Sequence, residues 1–462
     1  MTNRFSALAL LTAVLCAVTG CGAGGEDDGT KVPLPRQGLV RVVNVMPDAG
    51  RMTSFLSSSV FSSNQYGEAT ALAATLVGQY VMNILLTPPS GVSTTLVDND
   101  PVNLIDQDEI SYFLIGPTAT PQTVKVNNID IAYGVDTSKP ATYPPPDFQI
   151  LHAATDTGAA DVYVTDTNAD IATATPTATV NFGDLTPLTQ QDPAVTYRVR
   201  VTPAGSKTVL FDSGSFAVAR LKRSIYMLMD NFSPSGETLR VANVTALAAE
   251  NFANQTSVTS MRGANMIPDA PAIDIYLGPT TGTPLFANVA YGVTTAYAPI
   301  ANGAATVNIT PAGVPGTVIK TGPLTIVGGQ GLSLYASGLV SNASGTFSAV
   351  VESLRSITGQ AQFRFVAAAP SATAIDVYLV TPGQPINDAA PILANGALLA
   401  TSSTALTPGS YDLFVTRSGT TVQLLGPERI SVDAGGVYSA VLRDAAGGGS
   451  PLTVQITQEV LP

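Results

Sequence analysis

Apolar and polar residues alternate along many short segments of this chain, and turn-forming residues follow them. Residues 197–201 and 306–309 alternate in this way. A period of two places one face of a strand in a core and the other in solvent. Both segments run into Thr-Pro-Ala-Gly, at 202–205 and 310–313, and Pro followed by Gly favours a tight turn. The pattern predicts hairpins, and with them an all-β protein.

A strand that carries a tyrosine recurs late in each of four stretches. The four tyrosines are Tyr112, Tyr226, Tyr335 and Tyr438, separated by 114, 109 and 103 residues. This period is longer than the roughly 20–50 residues of a solenoid repeat. We therefore expect four tandem β-sandwich domains, each with its own core. Strand and turn signals within a repeat predict about seven strands in each sandwich.

The repeats also set the expected limits of the domains. We expect a signal peptide at 1–20, a flexible tether at 21–37, and β-sandwich repeats at 38–135, 147–248, 260–354 and 360–462. The intervening segments are expected to be linkers. The first of them contains three consecutive prolines at 144–146, which favour an extended and stiff conformation.

The first 21 residues combine a basic start, an apolar run and small residues. Arg4 precedes the apolar stretch 5–18, and Val18-Thr19-Gly20-Cys21 follows. This is typical of a secretory signal and too short for a membrane-spanning helix, which needs roughly 20 apolar residues. The ending resembles the bacterial lipoprotein box. The resemblance implies that Cys21 is the first mature residue and carries acyl chains such as palmitate. The alternative is an ordinary signal peptide in which Cys21 is coincidental.

The residue after the cysteine bears on location. In the lipoprotein pattern of Gram-negative bacteria, an aspartate at this position signals retention in the inner membrane. Because Gly22 stands there, the resemblance implies the outer membrane. The protein would then face the periplasm or the cell surface.

The openings of the repeats carry a second resemblance. In the third repeat the pattern consists of Arg262, Asn265, Pro268, Asp269, Ala270, Pro271, Asp274 and Tyr276, with Tyr291-Gly292 further on. It resembles the family called domain of unknown function 4397. The other repeats depart from this pattern. The second has His152 in place of the asparagine and Phe182-Gly183 in place of Tyr-Gly. The first keeps Tyr66-Gly67 but has Thr53 in place of the second aspartate, and the fourth has Ser371 in place of the first aspartate. The resemblance implies repeated immunoglobulin-like β-domains in exported bacterial proteins, with no established activity and no catalytic residue.

Three repeats place an aspartate two residues before a tyrosine on a predicted strand. The pairs are Asp161 with Tyr163, Asp274 with Tyr276, and Asp376 with Tyr378. Residues i and i+2 lie on one face of a strand, so each pair is a candidate binding site for a small ligand or Ca²⁺. We favour the alternative, in which the aspartate accepts N–H bonds from the preceding turn and the tyrosine packs over the sandwich edge.

Other candidates for chemistry are few. His152 is the only histidine, and it aligns with Asn44 and Asn265, so a hydrogen bond to the following turn explains it better than catalysis. With one histidine and no cysteine after Cys21, we expect no zinc site and no enzyme activity. A catalytic triad could form only around His152, with Asp156 and a serine. The densest acidic cluster, which we expect to be a solvated loop rather than a Ca²⁺ site, contains Asp98, Asp100, Asp106, Asp108 and Glu109.

Composition narrows the range of partners. The formal net charge is −12, with only 21 Lys and Arg residues, which is a poor match for nucleic acid. The chain has no Trp, so only Tyr and Phe could stack on a carbohydrate. We therefore predict a non-catalytic cell-envelope protein without a cofactor, held to the membrane by the acyl chains on Cys21. It is expected to bind an envelope, matrix or surface protein or polysaccharide through loops at the sandwich ends. The alternatives are a purely structural spacer and a Ca²⁺-dependent or carbohydrate-binding adhesin.

Overall fold

The computed structural model describes residues 36–132, 134–136 and 138–460. Cys21, Gly22 and the signal peptide predicted at 1–20 lie outside these residues. The described chain consists of β-strands joined by turns, with one short 3₁₀ helix at Pro140–Thr142 and no α-helix. None of its segments is a helix with the length and apolar character needed to cross a membrane. The predicted all-β class is confirmed.

The strands are numbered in chain order. Those of the first repeat are β1 (Gln37–Val45), β2 (Met52–Leu56), β3 (Ser59–Asn64), β4 (Ala73–Leu76), β5 (Gly78–Leu86), β6 (Thr94–Leu104), β7 (Asp108–Ile115) and β8 (Gln122–Ile129). Those of the second are β9 (Asp147–His152), β10 (Ala160–Asp166), β11 (Ala178–Val180), β12 (Thr189–Gln190), β13 (Thr196–Pro203), β14 (Phe211–Ala217), β15 (Arg223–Asp230), β16 (Leu239–Val244) and β17 (Ala249–Asn251). Those of the third are β18 (Thr259–Met266), β19 (Ala272–Leu277), β20 (Phe286–Ala290), β21 (Ala298–Ile300), β22 (Gly303–Pro311), β23 (Lys320–Ile326), β24 (Gly331–Ser337) and β25 (Thr346–Glu352). Those of the fourth are β26 (Ala361–Ala367), β27 (Ile375–Val380), β28 (Leu393–Gly396), β29 (Thr401–Leu406), β30 (Gly409–Arg417), β31 (Gln423–Val432), β32 (Val437–Arg443) and β33 (Thr453–Glu459).

Each repeat folds into two sheets. In the first repeat their strand orders are β4-β1-β7-β8 and β3-β2-β5-β6. The third repeat (β21-β18-β24-β25 and β20-β19-β22-β23) and the fourth (β29-β26-β32-β33 and β28-β27-β30-β31) have the same arrangement. In the second repeat, the sheets are β12-β9-β15-β16-β17 and β11-β10-β13-β14. The first strand of every repeat pairs in parallel with the seventh, as β1 does with β7.

The expectation of about seven strands is wrong, because the sandwiches have eight strands, or nine in the second repeat. The last strand of a repeat lies at a sheet edge, as β8 and β25 do. Most of their residues are exposed or half-buried. An edge strand with so little burial carries a weak apolar alternation, so the sequence pattern does not reveal it.

Each sandwich has a core formed by inward-facing residues of both sheets. In the third repeat Ile273 and Ile275 of β19 cluster with Ile309 of β22 and Met261 of β18, and all four are fully buried. Complete burial of such a side chain contributes roughly 1.5–3 kcal/mol. Because neighbouring residues of a strand point to opposite faces, Asp274 lies on the outer face of the sandwich.

The first and seventh strands are buried on both faces. Every residue of β7, β18 and β24 is buried, because the outer face of their sheet packs against the neighbouring repeat. A second core between repeats one and two includes Phe113 and Met227. A corresponding core between repeats three and four includes Met266 and Val441. The four sandwiches thus form two face-to-face pairs.

The recurring tyrosines do not occupy one structural position. Tyr112, Tyr226 and Tyr438 lie in the cores of their own sandwiches, whereas Tyr335 lies in the core between repeats three and four. Tyr112 pairs with the residue directly after Arg41 on β1, whereas Tyr335 pairs with the second residue after Arg262 on β18. A shift of one residue moves a side chain to the opposite face of a strand. The tyrosine period therefore locates the repeats without marking equivalent residues.

The two pairs also contact each other. The N–H of Leu354 donates to the carbonyl of Phe232 at 2.8 Å, and a guanidinium nitrogen of Arg355 donates to the carbonyl of Ala49 at 2.6 Å. From Gln37 onwards the described residues belong to one compact unit. The domain limits stay predictions, and β17 extends the sheet of the second repeat into the segment expected to link it to the third.

Candidate functional site

Each repeated aspartate connects a residue of an edge strand to a later turn. The carboxylate of Asp274 accepts hydrogen bonds from the N–H of Asn288 at 2.7 Å and of Gly313 at 2.8 Å. The corresponding bonds are Asn395 (2.7 Å) and Gly419 (2.8 Å) to Asp376, and the hydroxyl of Thr179 (2.5 Å) and the N–H of Gly205 (2.8 Å) to Asp161. In each case one donor lies in an edge strand and the other in a later turn, so the expectation of bonds from the preceding turn is wrong.

Most of these bonds stabilise residues that have a positive φ, which is an unfavourable backbone conformation for most residues. Asn288 and Gly313 have φ values of 53° and 72°, a region that Gly and Asn enter at the least cost. Burial raises the pKa of the Asp376 carboxyl, but its two N–H donors outweigh burial and hold the pKa below its ordinary value. Both oxygens of each carboxylate are thus engaged within the fold, which leaves little capacity for a ligand.

The tyrosines beside these aspartates have three different surroundings. Tyr163 is fully buried beneath Lys207, whose Nζ lies 3.0 Å from the hydroxyl and 4.7 Å from the ring centroid. Tyr276 is buried as well. Tyr378 packs against a small outer cluster that includes Phe414. Each aspartate and tyrosine share a strand face, but the three faces offer no common binding geometry.

His152 and its aligned asparagines bond to the turn that follows them. Nε2 of His152 donates to the carbonyl of Gly158 at 3.0 Å, and the ring is fully buried. The amide of Asn265 donates to Ala270 at 3.2 Å and to Val289 at 3.0 Å. These contacts match the structural role expected at this position. Asn44 does the same in the first repeat, with bonds to Gly50 at 3.1 Å and Asn64 at 3.3 Å.

The acidic residues of the first repeat engage separate partners. Asp100 accepts from the hydroxyl of Tyr112 at 2.6 Å and from Nζ of Lys125 at 3.1 Å. Glu109 forms an ion pair with Arg223 at 3.1 Å. Within residues 36–132, 134–136 and 138–460, no group of three His, Cys, Asp or Glu side chains is arranged to hold a metal ion.

A buried ion cluster joins repeats three and four. Arg262 donates to both carboxylate oxygens of Glu459, at 2.8 and 2.7 Å, and lies 3.4 Å from Glu352. Arg364 pairs with the same Glu352 at 2.5 Å. Burial raises the pKa of Glu459, but the bonds from Arg262 outweigh burial, so the pKa lies below its ordinary value. The arginine of the family pattern therefore connects one repeat to the next.

The Tyr-Gly motif also contacts the following repeat. The hydroxyl of Tyr291 donates to the carbonyl of Asp444 at 2.7 Å, and the Arg443 guanidinium lies 5.7 Å from its ring centroid. Gly292 has a φ of 77°, and a Cβ there would collide with Arg443. Tyr66 bonds to the carbonyl of Asp230 at 3.0 Å in the same way. The sequence analysis did not predict this docking role. The available signal was that Tyr-Gly occurs only in the first and third repeats, each of which packs against the repeat that follows it.

A cavity of about 530 Å³ lies where all four repeats meet. Its lining includes Tyr66, Arg240, Arg355, Glu352 and Arg364. Sequence patterns missed this cavity, because its residues come from segments that are hundreds of positions apart and only the packing of the repeats brings them together. It is the principal candidate site in the described part of the chain.

Comparison with known proteins supports the family resemblance. Residues 259–378 match the model of the family described as Domain of unknown function (DUF4397). This segment runs from β18 into β27, so it contains the third repeat and the opening of the fourth. No curated protein matches the sequence.

Similar solved structures include the Bacillus anthracis TIE protein, which is 10% identical over 91% of this chain and 76% of that chain, with a TM-score of 0.15. A product complex of the multi-modular glycogen-degrading pneumococcal virulence factor SpuA is 10% identical over 60% of this chain and 37% of that chain, with a TM-score of 0.14. Similarities at these scores carry no inference about this protein.

Proposed function

We propose that this chain is a non-catalytic interaction protein of the bacterial cell envelope, exported and anchored to the outer membrane by acyl chains on Cys21. Its partner is an envelope, matrix or surface protein or polysaccharide. The observation that carries the proposal is the use of the repeated carboxylates Asp161, Asp274 and Asp376, which hold an edge strand and a turn together within each sandwich. The repeats then serve as a scaffold, and the loops and the junction between repeats remain for a partner.

Charge and side-chain placement favour binding over catalysis. A formal net charge of −12 opposes association with nucleic acid, whose affinity comes from phosphate neutralisation. His152 is buried and bonded to a turn, so its ring is not presented to a substrate.

A purely structural spacer fits the packing less well. A spacer gains reach when its modules lie end to end, whereas these sandwiches pack face to face in pairs. Packing of this kind shortens the molecule and creates a cavity at the junction of the repeats. Both features favour a binding role.

Anchoring is tested by protease treatment of intact and lysed cells that express the wild type, Cys21→Ala or the control Cys16→Ala. We expect Cys21→Ala to release the protein from membranes, and Cys16→Ala, within the apolar run of the signal, to leave anchoring unchanged. Cleavage in intact cells would indicate surface display, and cleavage only after lysis would indicate the periplasm. Membrane retention of Cys21→Ala would disprove lipid anchoring.

Binding is tested separately with the purified chain and isolated envelope fractions. We expect the protein to co-sediment with a matrix or outer-membrane fraction in a saturable manner. A chain that stays in the supernatant with every fraction would contradict the interaction role and leave the spacer.

A further inference from the structure

The cavity at the junction of the repeats is rich in positive charge, although the chain as a whole is acidic. Arg240, Arg355 and Arg364 line it, and Glu352 is its acidic lining residue. Glu352 is already shared by ion pairs with Arg364 at 2.5 Å and with Arg262 at 3.4 Å. Among the described residues, Arg240 and Arg355 therefore line the cavity without a carboxylate partner of their own.

Arg240 and Arg355 are held near the same ring. The guanidinium carbon of each lies 5.0 Å from the ring centroid of Tyr66, and the Tyr66 hydroxyl is fixed by its bond to Asp230. Burial, together with repulsion from Arg240, lowers the pKa of Arg355 to about 10, although attraction from Asp48 acts in the opposite direction. Two like charges held in a partly buried site favour the entry of an anion, because it relieves their repulsion.

Hydrogen-bonding capacity is also unsatisfied at this site. Nε of Arg240 is buried and has no hydrogen-bond partner in the described chain. Arg355 uses one nitrogen to donate to the carbonyls of Pro47 at 3.1 Å and Ala49 at 2.6 Å, and its guanidinium has further N–H groups. The fork-shaped guanidinium matches the two oxygens of a carboxylate.

The neutral part of the lining suits a hydroxylated ring. Gln65, Gln330 and Gln362 are among the lining residues, and a glutamine carboxamide can both donate and accept hydrogen bonds. Phe232 and Phe252 also line the cavity, and aromatic side chains can pack against the apolar face of a ring. A small inorganic anion would use the guanidinium groups and leave these amide and aromatic contacts empty.

We propose that this cavity binds an acidic saccharide of the uronic-acid type, with its carboxylate at Arg240 and Arg355 and its hydroxyl groups at the glutamine carboxamides. The inference rests on the proposed binding function and names the ligand class and the site. The cavity volume lies within the roughly 300–1,000 Å³ of small-molecule sites. Residues of all four repeats line the site, so the ligand requires the packed arrangement.

The test is calorimetric titration of the purified full chain with trigalacturonate. We expect saturable binding that Arg240→Gln weakens by roughly ten-fold or more, as for the loss of a charge-assisted hydrogen bond. Arg417→Gln is the matched control, because Arg417 is exposed and does not line the cavity. Maltotriose, a neutral saccharide of similar length, and sulfate, a small anion, are the ligand controls.

A second variant covers the case in which Arg240→Gln fails to fold. Ser403 is an exposed lining residue, so Ser403→Asp adds a negative charge to the cavity without disturbing the core. It should also weaken trigalacturonate binding by roughly ten-fold, since it repels the carboxylate.

The outcomes separate this inference from the broader function. Absence of trigalacturonate binding, equal affinity for maltotriose or sulfate, or unchanged affinity in both cavity variants would overturn the inference. Retention of envelope co-sedimentation in that case would leave the interaction role standing. Saturable binding that the cavity variants weaken would support the site even if Cys21→Ala showed no anchoring.

Discussion

Single carboxylates connect an edge strand to a distant turn in this molecule. Asp274 joins Asn288 to Gly313, and Asp376 joins Asn395 to Gly419, with nearly identical distances. Each aspartate stands on the outer face of a strand whose inner face belongs to the core. A hydrogen bond to a charged acceptor is worth roughly 1.5–3 kcal/mol, so two such bonds contribute substantially to one sandwich. Repetition of the aspartate reflects this shared structural need.

Replacement of Asp274 tests the turn-holding role. Asp274→Ala should destabilise the third repeat by about 2 kcal/mol and speed amide exchange at Asn288 and Gly313, because both N–H groups lose their acceptor. Asp274→Asn keeps one acceptor oxygen and should give an intermediate effect. Hydrogen exchange and urea denaturation measure these changes. The control Glu428→Ala, at an exposed position, should change stability by less than about 0.5 kcal/mol. Unaltered exchange at both amides in Asp274→Ala would contradict the assignment.

At the level of strands, most predictions rested on the alternation of apolar residues and on the turn-forming residues that follow it. The segments at 197–201 and 306–309 lie within β13 and β22, because a half-buried strand alternates and a Pro-Gly turn ends it. Strand β1 departs from this pattern, because it carries apolar side chains on both faces. A strand buried on both faces loses its alternation. That loss is the signal that a second layer covers the sheet.

The central cavity could not be predicted at this scale. Its residues lie on loops and strands of different repeats, and no spacing along the chain brings Tyr66 near Arg355. Their proximity depends on how whole sandwiches pack, which depends on long-range contacts rather than on local pattern.

Docking of neighbouring repeats through the Tyr-Gly motif is testable at one glycine. Gly292→Ala should strain a backbone with a φ of 77° and push a methyl group into the Arg443 guanidinium, so the contact between repeats three and four loosens. Gly91→Ala is the control, because its φ is 80° and no atom lies near its Cβ. Both variants share the backbone cost of an alanine in the left-handed region, roughly 1–2 kcal/mol. Only Gly292→Ala should accelerate hydrogen exchange in β24 and β32, and equal exchange in the two variants would contradict a docking role.

Over the whole molecule, the two sandwich pairs use different electrostatics at related interfaces. Between repeats three and four, Glu459 is bound by Arg262 and its pKa lies below its ordinary value. Between repeats one and two, burial is the largest influence on Glu109 and raises its pKa despite the nearby Arg223 and Arg41. Burial likewise raises the pKa of Asp230, whose carbonyl accepts the bond from Tyr66. Protonation of Glu459 therefore destabilises the interface between repeats three and four, whereas protonation of Glu109 is favoured by folding at the interface between repeats one and two.

Acid should loosen the pair of repeats three and four before the pair of repeats one and two. A carboxyl with a lowered folded-state pKa stabilises fully above the unfolded value, which is about 4.3 for Glu, and loses this contribution as the pH falls through the folded-state value. Glu459 belongs to this class. Glu109 has a raised folded-state pKa, so it takes up a proton more readily when folded and favours the folded state as the pH falls.

Hydrogen exchange measured at several pH values between about 6 and 3 distinguishes the two pairs. We expect protection of β18 and β24 to fall with acid while protection of β1 and β7 is retained longer. Glu459→Gln should remove the part of the pH dependence that Glu459 contributes, because glutamine does not titrate, and it should weaken the third and fourth repeats at neutral pH. Simultaneous loss of protection in both pairs would refute the difference. Such a result would mean that the four sandwiches respond to acid as one cooperative unit rather than as two pairs.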